Sequence, residues 1–307
     1  MKKLLPENTI GRAGRDIVSH LKDLTIIMIP FERFSPFTKI VDDLYKTVDV
    51  PFNLILMEGN APESVRSSLE KLQKHHHNIT MIYSDHQLST GGAINLAIPH
   101  IKTKYVFVMD NDVRMPSGAM SALLRRAQEN QHGIVWPQNY VVCPREGSPT
   151  EKTGNKTSSQ SLGMRTCFLI SQNTLNKFGK FDEGMTPFTM GIDLRMTAEE
   201  MNISICHETS TRMELDGGSP SWDIDSSLHS FQWNQERAHR SFENLQKKWG
   251  ILLPTQKYTE WLEDKNRGRE ESKNIFFFIM DLFFHFTSSP QKKELKKIQD
   301  FSLPNAA

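Results

Sequence analysis

Cysteine is scarce in this sequence, with three residues in a chain of 307: Cys143, Cys167 and Cys206. Three cysteines cannot all pair, and their spacing contains neither a Cys-x-x-Cys motif nor the framework of a disulfide-rich domain. We therefore expect a protein of a reducing compartment. A chain of this length can bury a sizeable core without disulfides or a structural metal.

Charge of one sign is lacking as well. The 37 lysines and arginines stand against 36 aspartates and glutamates, which leaves a net charge of +1. Because no global field draws polyanions to such a chain, we expect no nucleic acid among its partners. Any phosphate-bearing ligand must then be held by a local arrangement of residues.

Long hydrophobic runs are missing too. No 18 consecutive residues are apolar, and the first residues lack the apolar core of a signal peptide, so we expect a cytoplasmic protein without a spanning helix. The nearest approach is the stretch 275–286 (IFFFIMDLFFHF), which is followed by four lysines within 292–297. Two interpretations stay open for residues 275–297: a helix packed on the domain, or a peripheral contact with the anionic inner face of a membrane.

What the sequence does contain is an alternation of short apolar runs and amphipathic segments in its first 115 residues. The apolar runs predict four strands, at 24–29, 52–57, 79–83 and 105–109. Helical spacing predicts helices between them, at 36–48, at 62–77 and at 91–101. Continuous apolar strands that alternate with helices are typical of a parallel sheet covered on both faces. We therefore predict a doubly wound α/β domain with a mostly parallel central sheet.

The pattern loosens after residue 116. One helix is predicted at 117–130 and a largely helical segment at 231–249, with strands at 133–136, 165–171 and 203–206. Two stretches rich in glycine, proline and serine predict loops, at 144–161 and 217–227. We expect an N-terminal extension (1–23), a core (24–216) with halves at 24–115 and 116–216, and a C-terminal lid with a helical extension (217–307).

Each of the four predicted strands is followed by residues that could contact a ligand, most of them polar. In open parallel sheets, ligands bind beyond the carboxyl ends of the strands, so these residues are candidates for a binding site. They are Pro30, Phe31 and Arg33 after the first strand, Glu58 after the second, Asp85 after the third, and Asp110, Asn111 and Asp112 after the fourth.

Asp110 and Asp112 are the sharpest feature of this group. Two carboxylates that bracket one residue at the end of a buried strand suit a hard divalent cation, Mg²⁺ or Mn²⁺, which can bridge the oxygens of a diphosphate. The alternative is an ordinary aspartate–asparagine turn that leads into the next helix.

Several ordered motifs together resemble the GT-A glycosyltransferases of the family-2 type. The stretch 90–97 (TGGAINLA), followed by 104–112 (KYVFVMDND), resembles that family's glycine turn, asparagine-bearing helix and strand ending in Asp-x-Asp. The stretches 179–183 (GKFDE) and 191–195 (GIDLR) are similar to its acceptor-side acidic motif. The resemblance covers about residues 24–250.

The resemblance implies a GT-A (Rossmann-like) fold and an enzyme that takes a sugar from a nucleoside diphosphate, with a UDP-sugar favoured. The acceptor would be a glycan, a lipid-linked group or a protein. It implies Mn²⁺ or Mg²⁺ held by Asp110 and Asp112, with His207 at the family's place for a third ligand. The implied donor-binding residues are Pro30, Phe31, Arg33, Glu58, Asp85, Gly91, Gly92, Asn95, Asp110 and Asn111.

The family is predominantly inverting, so a carboxylate should deprotonate the acceptor hydroxyl. The family motif carries a Glu-Asp pair before its Asp-Leu, whereas this chain has Met190-Gly191. Asp193 is then the first candidate for the base. The competing carboxylates are those of Asp182, Glu183, Glu199 and Glu200.

Two other functions stay open. A chain that has lost its base could be a non-catalytic protein that binds a nucleotide-sugar or a glycan. A sugar nucleotidyltransferase shares the fold class, but such enzymes usually carry a glycine-rich loop after the first strand, and the stretch 30–33 (PFER) lacks glycine.

Overall fold

The strands of this chain join one mixed sheet in the computed structural model, which describes residues 23–31, 33–129, 133–143, 158–160, 167–216, 226–232 and 234–250. In these ranges the strands are β1 (Leu24–Ile29), β2 (Asn53–Met57), β3 (Ile79–Ile82), β4 (Tyr105–Asp110), β5 (Val113–Arg114), β6 (Ile134–Cys143), β7 (Ser158–Gln160), β8 (Phe168–Ser171) and β9 (Ile205–Asp216). The helices are α1 (Phe37–Thr47), α2 (Glu63–His75), α3 (Thr90–Ala97), α4 (Ala119–Glu129), α5 (Gln172–Phe178), α6 (Pro187–Glu200), α7 (Ser226–Gln232) and α8 (Gln235–Trp249), with a 3₁₀ turn at Ile98–His100.

The strand order among the described residues is β3-β2-β1-β4-β8-β6-β9-β5, and β7 pairs with β6. The first four strands are parallel to one another, so their carboxyl ends meet at one edge of the sheet. Beyond β4 the sheet is mixed: β8 is antiparallel to both β4 and β6, β9 is parallel to β6, and β5 is antiparallel to β9. The predicted α/β fold is confirmed, but the mostly parallel pairing holds only for the first half.

β1 shows why the first half folds as its sequence predicts. All six of its residues are buried. Successive side chains of a strand point to opposite faces of the sheet, so burial of all six requires cover on both faces. On one face, Ile26 and Met28 belong to a buried hydrophobic cluster that also contains residues of α1 and α4. A strand buried on both faces has no polar alternation, which is the pattern in its sequence.

β9 is much longer than the predicted strand at 203–206. Its second half alternates buried Thr211, Met213 and Leu215 with more exposed residues, the pattern of a strand covered on one face. A register shift against β6 falls between Pro137 and Asn139 of that strand. The polar composition of this half hides the strand from a search for apolar runs.

Helix α8 is hydrogen-bonded to the start of α6 and to the residue before it. The Thr186 N–H donates to Ser241 Oγ of α8 at 2.9 Å, and Thr189 and Ser241 share a further hydroxyl–hydroxyl hydrogen bond. Arg237 Nη2 donates to the Met185 carbonyl oxygen at 3.2 Å. α8 starts at the capping side chain of Asn234, so the predicted segment 231–249 is two helices, α7 and α8.

Several predicted features lie wholly or largely outside the described residues. They are the N-terminal extension, the stretch 217–227 and the segment 275–297. The stretch 144–161, predicted as a loop, contains the short strand β7, and the rest of it is outside the described ranges. The domain boundaries therefore stay predictions. In the described part of the chain, no helix is both long and apolar enough to cross a membrane.

Candidate active site

The turn after β4 carries the two carboxylates of the Asp-x-Asp motif. Asp110 is the last residue of β4, paired with Ile29 of β1, and both Asp110 and Asp112 are buried. β5 follows at once and pairs Val113 with Leu215 of β9 in antiparallel register. Asp112 and Asp216 are the residues that adjoin this Val113–Leu215 pair at the same end of the two strands. The backbone therefore brings three aspartate positions to the same edge, and carboxylates are the ligands that Mg²⁺ and Mn²⁺ prefer.

Asn111, between the two aspartates, fixes the chain that leaves β1. Its Oδ1 accepts a hydrogen bond from the Phe31 N–H, and its Nδ2 donates to the Arg33 carbonyl oxygen, both at 2.8 Å. Asn111 is fully buried. Its side-chain amide thus holds the loop that carries two other predicted donor-binding residues.

Glu58 is also fully buried and is surrounded by donors of its own half. Its Oε1 accepts from the Ala61 N–H at 2.7 Å and from Arg66 Nη2 at 2.9 Å, and its Oε2 accepts from the Asn60 N–H at 3.0 Å. A longer bond at 3.4 Å comes from the Ser84 N–H in the loop after β3. The carboxylate therefore ties the ends of β2 and β3 together.

Asp85 behaves differently from the other strand-end acids. Its side chain is almost fully exposed, and it accepts a hydrogen bond from His86 Nδ1 at 2.7 Å. The hydrogen bond to His86 is the main cause that lowers the pKa of the Asp85 carboxyl below its usual range. Asp85 is therefore an accessible negative charge at the end of β3.

Gly91, Gly92 and Asn95 meet the acceptor half of the chain. A Cβ on Gly91 would lie 2.7 Å from the Asp182 carbonyl oxygen, so the two backbones can be this close only at a glycine. Asn95 Oδ1 accepts from the Phe181 N–H at 2.8 Å, and its Nδ2 donates to Glu183 Oε1 at 3.0 Å. These residues of α3 join the two halves.

Helix α7 lies beside the end of β1. Gln232 is buried and its Nε2 donates to the Pro30 carbonyl oxygen at 3.1 Å. Gln87, in the loop after β3, is hydrogen-bonded to Ser227 at the start of α7. α7 thus spans the ends of β1 and β3 at the edge where the predicted donor-binding residues gather.

His207 is not brought to the Asp110–Asp112 turn. It lies opposite Trp136 of β6, and their rings stack with centroids 6.3 Å apart. The register through β6 and β8 leads from this row back to Val108 of β4, three strands away and about 14 Å at the usual spacing. Ligands of one Mg²⁺ lie about 2 Å from the ion, so His207 cannot complete this set. Burial, with a smaller contribution from the charge of Arg195, lowers the pKa of His207 below its ordinary value.

Asp193 is buried on α6 and is held by the last two residues of α8. Lys248 Nζ and Trp249 Nε1 each donate to Asp193 Oδ1 at 2.7 Å. Its other oxygen, Oδ2, accepts no hydrogen bond from the described residues. α6 packs on α3 as well as on α8, which sets Asp193 between the donor half and the C-terminal helix.

Three of the other candidate bases have partners nearby, and the fourth is exposed. Glu199 pairs with Arg195 of its own helix at 3.1 Å. Asp182 Oδ1 accepts from the Gly184 N–H at 2.8 Å within its own loop. Glu183 is bound to Asn95 as described, and Glu200 is exposed.

The described residues contain no group of three or more His, Cys, Asp and Glu side chains arranged to hold a metal ion.

Two features of the site were not predicted from the sequence. Asp216 could have been found by extending β9 through the alternation that ends at Leu215. The Lys248 and Trp249 contacts could not, because no local pattern connects them to Asp193, 55 and 56 residues away.

Two solved structures share this architecture. The first is GalNAc-T7, solved with UDP, GalNAc and Mn²⁺, with a TM-score of 0.54 and 12% identity, covering 87% of this chain and 58% of that one. The second is the mannosyltransferase PcManGT from Pyrobaculum calidifontis in complex with GDP-Man and Mn²⁺, with a TM-score of 0.51 and 10% identity, covering 91% and 78%. At these identities the likeness establishes the fold, which is that of the GT-A glycosyltransferases.

One curated relative and one family model match this chain by sequence. The Bifunctional protein GlmU of Francisella tularensis is 26% identical over 141 residues, which cover 42% of this chain and only 30% of that protein. The sequence model described as glycosyl transferase family 2 matches residues 25–185, a little over half of the 307 residues. This match spans the Asp-x-Asp turn and the α3 contacts, and the chain therefore belongs to glycosyl transferase family 2.

Proposed function

We propose that this family-2 chain is a metal-dependent, inverting glycosyltransferase, which moves a sugar from a nucleoside diphosphate, UDP being favoured, to a hydroxyl acceptor. The acceptor is a hydroxyl of a glycan, a lipid-linked group or a protein. The observation that carries the proposal is the pair of buried carboxylates, Asp110 and Asp112, at the strand edge of a family-2 chain. Two structural neighbours contain Mn²⁺ together with UDP or GDP-Man, which supports a nucleotide-sugar donor and a divalent cation.

The residues at this edge fit Mn²⁺ or Mg²⁺. Asp110 and Asp112 supply carboxylate oxygens, and the register of β5 on β9 makes Asp216 the third candidate in place of His207. When bound, such an ion would supply positive charge beside the leaving diphosphate.

Some side chains at this edge bond to loops of the chain itself, and other residues are proposed to contact the donor. The side chains of Glu58, Asn95 and Asn111 hold loops of the chain, so their role is to shape the site. Asp85, exposed at the end of β3, is the proposed contact to the nucleobase. Pro30, Phe31 and Arg33, whose backbone is held by Gln232 and Asn111, are proposed to line the donor site beside it.

Asp193 is the proposed general base. It takes the proton of the acceptor hydroxyl while the hydroxyl oxygen forms a bond to the anomeric carbon. The bond from that carbon to the phosphate oxygen breaks, and its electron pair leaves with the nucleoside diphosphate. Attack from the face opposite the leaving group inverts the configuration.

A panel of nucleoside-diphosphate sugars tests the function. The purified chain is incubated with UDP- and GDP-sugars and Mn²⁺, and the thermal shift and the release of free nucleoside diphosphate are measured. We expect a shift that needs both nucleotide and metal, with turnover. Absence of any shift, with or without metal, would contradict the proposal.

One observation keeps a second function in view. Met190-Gly191 replaces the acidic pair of the family motif, as expected for a chain that binds a nucleotide-sugar without transferring it. A thermal shift without turnover, unchanged in Asp193→Asn, would favour this binding protein. A cytoplasmic location and a peripheral membrane contact through 275–297 stay predictions, which sedimentation with anionic liposomes tests.

A further inference from the structure

The last turn of α8 places two hydrogen-bond donors on one carboxylate oxygen. Lys248 Nζ and Trp249 Nε1 both lie 2.7 Å from Asp193 Oδ1. The lysine also lies over the indole ring, 5.0 Å from its centroid, so the two donors support each other. Gly250 follows in a left-handed conformation (φ 64°) and ends the helix directly after them.

We propose that Lys248 and Trp249 are positioning residues, which fix Asp193 so that Oδ2 is the oxygen presented to the acceptor hydroxyl. This inference rests on the proposed glycosyl transfer and adds to it the two groups that orient its base.

The contact is asymmetric. Two donors on Oδ1 remove rotation about the Cβ–Cγ bond of Asp193, because turning the carboxylate would break both hydrogen bonds at once. Oδ2 receives no donor from the described residues, so it retains its capacity to accept a proton. A base held by neighbouring hydrogen bonds does not have to be ordered during the reaction.

The contact is also buried on the side of the aspartate. The Asp193 side chain is 10% exposed, whereas that of Lys248 is 43% exposed. A buried carboxylate needs hydrogen-bond partners, and Asp193 takes both from residues 55 and 56 positions later in the chain. The long connection makes α8 a part of the acceptor side.

The helix that brings these donors is itself fixed. Ser241 of α8 bonds to Thr186 and Thr189 at the start of α6, and Arg237 bonds to the Met185 carbonyl oxygen. Two points of attachment along α8, at its middle and at its end, set its register on α6. The donors therefore reach Asp193 from a rigid element rather than from a loop.

The test compares Lys248→Met and Trp249→Phe with Asp193→Asn in the full chain. Release of nucleoside diphosphate from UDP-GalNAc and from GDP-mannose is measured with Mn²⁺, with water as the acceptor. We expect each of the two variants to lower kcat about 10- to 100-fold, the effect of a misplaced catalytic group, while the donor KM stays within about twofold of the wild type. Lys248→Arg should recover part of the loss.

Lys247→Met is the matched control, because Lys247 is the exposed neighbour on the same turn. It should keep the wild-type kcat. Lower melting temperatures with an unchanged kcat per folded molecule would overturn the inference and leave α8 as a structural support only. Wild-type kcat in Asp193→Asn would overturn it as well. Absence of turnover by the wild type with every donor would instead refute the proposed function, and the inference with it.

Discussion

The donor and acceptor halves of the site differ in what holds their polar side chains. In the donor half, Glu58 and Asn111 bond to loops of the same half, within the first 111 residues. In the acceptor half, α6 depends on α8, through Ser241, Lys248 and Trp249. The Glu58 and Asn111 contacts are therefore local in sequence, and α7 adds a distant contact from Gln232 to Pro30, whereas these acceptor-side contacts all come from a helix distant in sequence. Changes in α8 should impair transfer and spare nucleotide binding.

The largest effect should come from the donor half. Asp112→Ala removes a buried carboxylate of the proposed cation site, and we expect activity to fall by about 100-fold or more, the loss seen when one electrostatic stabiliser is removed. Chelation of the metal with EDTA should have the same effect on the wild type. The measurement is steady-state release of nucleoside diphosphate. The control is Asp42→Ala, which changes an exposed aspartate on α1 and should leave the activity unchanged. Equal losses of activity in both variants would refute the assignment of Asp112 to the cation site.

Glu58→Gln tests whether the donor half is held by its own network. Glutamine has one side-chain oxygen where glutamate has two, so a buried N–H loses its acceptor. We expect the free energy of unfolding to fall by about 2 to 3 kcal/mol. Urea unfolding measures it. Glu63→Gln, on the exposed start of α2, should change stability little. A Glu58→Gln protein of wild-type stability that fails to bind nucleotide would make Glu58 a ligand contact instead.

Gly91→Ala tests the junction between the halves. The new Cβ would lie 2.7 Å from the Asp182 carbonyl oxygen, so the loop at 181–184 must move, at a cost of about 1 to 3 kcal/mol. We expect lower turnover together with a lower melting temperature. Gly92→Ala is the matched control, since its Cβ would lie 3.2 Å from the Ser89 hydroxyl, a longer approach than the 2.7 Å at Gly91. A milder effect at Gly91 than at Gly92 would contradict the account.

The smallest effect concerns His207. Its pKa is lowered in the folded state, so the unfolded chain binds more protons near pH 6 and stability should fall as the pH drops from 7 to 5. His207→Gln should flatten this dependence, and the effect should be small because the ring is only half-buried. Urea unfolding at several pH values measures the slope. An unchanged slope would show that the histidine does not titrate as a buried group.

The donor half could be predicted from sequence because its strands are buried on both faces and follow one another in space. Runs such as that of β1 are apolar throughout, and their bounds shift by only a residue or two. The second half of β9 is polar, bulged and paired with distant strands, so its length and the position of Asp216 did not follow from local pattern.

The sequence predicted which residues lie at one edge of the sheet but not which groups they contact. Glu58, Asp85, Asp110 and Asp112 follow strands that are parallel, so they lie at the same edge. Which of them faces a loop of the chain and which remains open depends on tertiary hydrogen bonds. The position of His207 depends on strand register, which one sequence does not reveal.

The most direct test is the binding of Mn²⁺, followed by electron paramagnetic resonance in the presence of UDP. The account predicts tight binding by the wild type and by His207→Ala, and loss of binding in Asp112→Ala and in Asp216→Ala. Loss of binding in His207→Ala, with retention in Asp112→Ala, would contradict it.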